Sequence, residues 1–132
     1  MTSMQIYVNL AVKDLKRSIE FFRGLGFSFN PKFTDENASC MIVGDNIFVM
    51  LLAENFFKSF TNKPLVDAKK ATEVLVAFSC ASRAQVSEIV SKAVARGART
   101  PLEPKDYGFM FQHGFEDLDG HMWELFHMSP SK

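Results

Sequence analysis

The chain has 132 residues, with 15 Lys or Arg balanced by 15 Asp or Glu. That length suits one domain, or two small halves sharing a core, burying about two thirds of the unfolded surface. With zero net charge and no basic run to track phosphates, a nucleic-acid partner is excluded and an acidic trap for a cationic drug is disfavoured.

No apolar run approaches the roughly 20 residues that span a bilayer, so no membrane partner is expected. The opening Met1-Thr-Ser-Met-Gln5 lacks a basic stretch followed by a hydrophobic one, and the expected location is the cytoplasm. Cys40 and Cys80 lie in strand-like apolar contexts and read as reduced core thiols without chemistry. Fourteen Phe and seven Met exceed what so small a core requires, which points to an apolar cavity or a subunit interface.

In chain order, Gln5 to Val12 alternates as a strand, with Ile6, Val8, Leu10 and Val12 on one face and Tyr7, Asn9 and Ala11 on the other. Asp14 stands at a helix N-cap. Leu15, Ile19, Phe22 and Leu25 follow at helical spacing until Gly24 and Gly26 end the helix. Strands are predicted at 27–33, 39–43 and 47–52, with Gly44-Asp45-Asn46 as the hairpin turn between the last two. Residues 54–71 break the rhythm with Phe56, Phe57, Phe60 and Pro64, and read as a linker carrying a short helix or a flap.

The pattern then restarts. A strand at 73–79 precedes a capping box at Ser82-Arg-Ala-Gln85, and Val86, Ile89, Val90, Ala93 and Val94 form a helical stripe ended by Gly97. Three more strands are predicted at 98–102, 108–115 and 121–128. Both halves thus read βαβββ, module one over about 4–53 and module two over about 72–128, a tandem repeat of one supersecondary unit.

The tail from Phe115 to Met128 places one acidic residue, Glu124, in an otherwise apolar strand. Asp117-Leu-Asp-Gly120 has the composition of a tight turn, and the alternation after it groups Met122, Glu124, Phe126 and Met128. Burying an unpaired carboxylate is costly, so Glu124 must face a wet cavity, a cation or a neutralising partner.

The opening segment from Val8 to Phe27, the closing Phe-Glu-Asp-Leu-Asp-Gly-His-Met-Trp-Glu-Leu125 and the duplicated topology between them resemble the vicinal oxygen chelate superfamily of glyoxalase I, bleomycin resistance proteins and extradiol dioxygenases. The resemblance implies an α+β fold: two tandem βαβββ modules forming a cupped mixed sheet, helices outside and the site in the concavity. It also implies a homodimer. Metal-dependent members draw one ligand from each of four strands, and those positions fall here on Tyr7, Met50, Leu75 and Glu124. Only Glu124 is a ligand typical of the family. Leu75 and Met50 supply no hard or imidazole donor, so no metal and no other cofactor is expected.

The expected function is binding of a small, partly apolar molecule in the cup, with Glu124 as catalytic base or polar anchor. Tyr7, Asn9 and His113 are its polar helpers, and Met50, Leu75, Met110 and Phe126 line the walls. His127 falls on the face opposite Glu124, and His121 belongs to the turn. Phe56, Phe57 and Phe60 suit either a lid or a dimer contact. Two alternatives remain at this point: a metal-dependent lyase or dioxygenase with a site rearranged around Glu124 and His113, and a non-catalytic sequestering protein.

Overall fold

The structure, a computed structural model, describes residues 4–129. The chain divides into two compact units, with the boundary between Val66 and Asp67. Each unit is a four-stranded mixed sheet whose central strand pairs in parallel with the unit's first strand.

Unit one runs β1 (Ile6–Val12), α1 (Leu15–Gly24), β2 (Ser28–Asn30), β3 (Ala38–Gly44), β4 (Ile47–Ala53) and α2 (Glu54–Lys58), with strand order β1-β4-β3-β2. Asp14 caps α1 as expected, its carboxylate accepting from the Arg17 N–H at 3.1 Å. Leu15, Ser18, Phe21, Phe22 and Leu25 are buried against the face carrying Leu10, Val12, Met41, Val49 and Leu51. Hydrophobic burial holds this layer together, at about 1.5–3 kcal/mol for each fully buried large side chain.

The strand expected over 27–33 stops at Asn30. Pro31 has no N–H for a ladder and instead opens a 3-10 turn over Pro31–Phe33, with the Asn30 side chain accepting from the Lys32 N–H at 3.0 Å. The segment read as a linker begins with α2, which packs on β1 and β4 within unit one.

Unit two runs β5 (Leu75–Ser79), α3 (Arg83–Ala95), β6 (Lys105–Asp106), β7 (Met110–Glu116) and β8 (Met122–Met128), with order β5-β8-β7-β6. Ser82 accepts from the Gln85 N–H at 3.0 Å, while Gln85 Oε1 reaches one residue past the cap and accepts from the Ala81 N–H at 2.7 Å. Val86, Ile89, Val90 and Ala93 are buried as the stripe predicts, but Val94 is exposed. Beneath α3 lie Phe115 and Trp123, stacked with ring centres 6.2 Å apart, and Phe78 meets Trp123 edge-on at 6.1 Å.

The predicted strand over 98–102 is reduced to one bridge, Arg99 with Glu116, and the edge strand forms instead at Lys105–Asp106. Pro101 and Pro104 lie between these pairing points and cannot donate to a ladder. Arg83 fastens the displaced edge, donating to Asp106 at 2.7 and 3.0 Å and to the Gly108 carbonyl at 3.1 Å. The guanidinium holds the Asp106 carboxyl at about 2, below the ordinary carboxylate range. Among the described residues no helix is long and apolar enough to cross a membrane.

Candidate functional site

The site in unit two begins with the turn that feeds β8. Gly120 has φ +95°, and a Cβ there would sit 2.6 Å from the Lys69 nitrogen, so both conformation and space demand glycine. Asp117 is buried and anchors the turn: one carboxylate oxygen accepts from the Asp119 and His121 N–H groups, each at 2.9 Å. The other accepts from the Trp123 indole N–H at 2.9 Å. Burial pushes the Asp117 carboxyl up, opposed by His121 and these hydrogen bonds. With Trp123 and Leu125 fixed on the α3 side, the strand's alternation turns Met122, Glu124 and Phe126 to the opposite face, all half-buried.

Glu124 pairs across the sheet with Gly114 on one side and Ala77 on the other. Its carboxylate lies over Gly114, where an added Cβ would stand 2.6 Å from Glu124 Oε2 and 2.9 Å from its Cδ, and would also collide with the Trp123 carbonyl. The bare backbone of Gly114 is what gives this carboxylate its place. Among the described residues it makes no hydrogen bond or ion pair.

Beside it lies a small recess, open to solvent, lined by Glu124, Met122, Gly114, Gln112, Leu102 and Lys105. It exists because the neighbouring chain bows out. Arg99 pairs with Glu116 and Lys105 with Gln112, so residues 100–104 span what 113–115 span on β7, two residues in excess. Glu103 and His113 also border the recess.

The register sorts the expected site residues. Leu75, Met110, Glu124 and Phe126 share one face of unit two, since Leu75 pairs with Met122, Met110 with Met128 and Gln112 with Phe126. His113 pairs with Leu125, so its ring stands on the α3 face rather than beside the Glu124 carboxylate, and its Nε2 is buried without a partner among the described residues. His127 is also on that face, its Nδ1 3.0 Å from the Cys80 carbonyl oxygen. In unit one Tyr7, Asn9 and Met50 share a face, Asn9 pairing with Met50. Tyr7 stacks on Phe48 at 4.8 Å and donates its hydroxyl to Gln5 at 3.2 Å, while the Asn9 amide donates to the Tyr7 carbonyl at 3.2 Å.

At the four positions that the resemblance assigns to ligands, two in each unit, a divalent cation finds poor donors. Leu75 offers no lone pair, Met50 a thioether suited to soft ions, and the Tyr7 hydroxyl is already engaged. Among the described residues no three His, Cys, Asp or Glu side chains gather as a metal site. The residues do not fit the metal that the family resemblance implies. Sequence reading missed Gly114, Gln112, Lys105 and the anchoring part of Asp117. A glycine inside an apolar strand was the one available signal, marking a close approach by a neighbouring group.

The family model described as the glyoxalase/bleomycin resistance protein/dioxygenase superfamily matches residues 5–125. No curated protein matches the chain. Among solved structures, the chain is similar to a hypothetical protein from S. aureus, with 24% identity and a TM-score of 0.80 over 96% of this chain and 95% of that one. A glyoxalase/bleomycin resistance protein/dioxygenase family enzyme from Burkholderia phytofirmans gives 15% identity and 0.78, over 96% and 99%. The fosfomycin resistance protein FosX from Listeria monocytogenes gives 19% and 0.68, over 100% and 96%. At these identities the solved structures show a shared fold and nothing finer.

Proposed function

Because the chain belongs to the glyoxalase/bleomycin resistance protein/dioxygenase superfamily, we propose that it binds a small, partly apolar organic molecule against the Glu124 face without the divalent metal used by other members. One observation carries this reading: a half-buried carboxylate, seated on a glycine, with no partner among the described residues. A ligand that brings such a carboxylate a hydrogen-bond donor gains a charge-assisted contact. Met122 and Phe126 beside it supply apolar contact.

The simplest chemistry open to a lone carboxylate is proton abstraction next to a ligand carbonyl, with Glu124 as the base. Thermal-shift screening against a metabolite library tests the reading: a stabilising compound should lose its effect in Glu124→Ala. Recovery of that compound unchanged assigns Glu124 as an anchor, and its consumption assigns it as a base. Near-stoichiometric Zn, Ni, Fe or Mn in protein purified without a histidine tag, lost in Glu124→Ala, would overturn the metal-free reading. A homodimer accompanies the proposal, and light scattering after size exclusion tests it.

A further inference from the structure

The hydrogen-bond parity of β7 supplies a second polar group in the recess. Glu116 exchanges both backbone hydrogen bonds with Arg99, at 3.0 and 2.7 Å, so Glu116, Gly114 and Gln112 turn their N–H and C=O groups toward the β6 side. Gln112 pairs there with Lys105. Opposite Gly114 the chain bows away, and the Gly114 N–H has no partner among the described residues. Lys105 and Gln112 lie in register on the same face as Glu124, and their side chains make no hydrogen bond or ion pair among the described residues. The recess thus carries an ammonium, a carboxamide and an unpaired backbone N–H within reach of one unpaired carboxylate.

We propose that this recess is a two-ended subsite for small hydroxy acids: Lys105, Gln112 and the Gly114 N–H hold the ligand's carboxylate, and Glu124 accepts from its hydroxyl. Lys105 stands two strands from Glu124, roughly 10 Å across the sheet, and its flexible stem shortens that gap to the span of a three- or four-carbon ligand. A charge-assisted bond from Lys105 and one from a backbone N–H are the means by which proteins hold carboxylates. Glu103 at the border works against the anion, so Glu103→Gln tightens binding. Gly114 acts twice, as the donor and as the bare floor that keeps the Glu124 carboxylate in place.

The inference rests on Glu124 being the polar anchor, and the test separates the two. Nitrogen-15-labelled protein is titrated with 3-hydroxybutanoate, its methyl ester and butanoate at up to tens of millimolar, with the Gly114 amide shift as readout. Both acids should move that amide and the ester should not. Lys105→Met, on an exposed edge strand, should weaken both acids roughly tenfold, and Glu124→Gln should weaken only the hydroxy acid. Equal shifts from acid and ester, no shift from either acid, or unchanged binding in Lys105→Met would each overturn the subsite. Loss of hydroxy-acid binding in Glu124→Gln without a Lys105 effect would sink the subsite while leaving Glu124 as the anchor. Butanoate-like behaviour of the hydroxy acid in both Glu124→Gln and the unaltered protein would overturn the hydroxyl contact and the anchor together.

Discussion

The two units share one backbone plan and differ in what they place on the sheet face away from the helix. In unit one that face carries Tyr7, Asn9, Phe48, Met50 and Leu52 with Cys40 and Ile42, a set with no charged group, and Cys40 and Leu52 are buried. In unit two the corresponding face carries Glu124, Gln112 and Lys105 among Met110, Met122 and Phe126, and none of these is fully buried. The helix-packed faces are alike, layers of aliphatic and aromatic residues under α1 and α3. A duplicated frame therefore keeps its fold on one face of each sheet and is free to vary on the other, and here the charged residues lie on that face in the second copy.

The sharpest way to break this comparison is at the anchor of unit two. Asp117→Ala removes the acceptor for the buried Trp123 indole N–H and for two part-buried turn N–H groups, and should cost about 3 kcal/mol in urea unfolding. An effect below about 1 kcal/mol would mean that the turn is held by other means.

Next come the strand glycines. Gly114→Ala drives a Cβ into the Trp123 carbonyl and the Glu124 carboxylate and should cost about 2 kcal/mol. Gly44→Ala in unit one makes its nearest contacts with the Ile47 side chain, at 3.5 Å and beyond, and should be near neutral by the same measurement. Equal costs at the two positions would deny Gly114 its seat for the carboxylate.

The smallest effect concerns pH. The Asp106 carboxyl is depressed to about 2 by Arg83, so its contribution is complete above the ordinary carboxylate range near 4 and is lost as pH falls toward 2. Asp106→Asn should flatten the acid limb of the stability curve over that window, and the slope should be unchanged if the pair is idle. Both groups are exposed, so salt should weaken the effect further.

The frame was legible in the sequence because its signals are local. Asp14 and Ser82 cap helices, the stripes from Leu15 and Val86 face cores, and the two copies reinforce each other. What escaped was set by relations across strands. Alternation grouped Met122, Glu124 and Phe126 on one face, but only pairing shows that His113 stands opposite Leu125, away from that carboxylate. The strand expected over 98–102 passed over Pro101, and no local signal shows that the edge strand forms at Lys105 instead, the displacement that creates the recess. Asp117 read as a turn residue because composition does not reveal that an indole six residues along the strand claims its second oxygen.

That indole is the chain's single tryptophan, and it lies in unit two with its N–H bound to a buried acid. Its fluorescence is therefore a reporter for one copy of the repeat, while circular dichroism averages over both. Coincident melts by the two signals would show that the halves unfold as one cooperative body. A tryptophan transition displaced from the circular dichroism transition would resolve the two copies as separate folding units without any label or truncation.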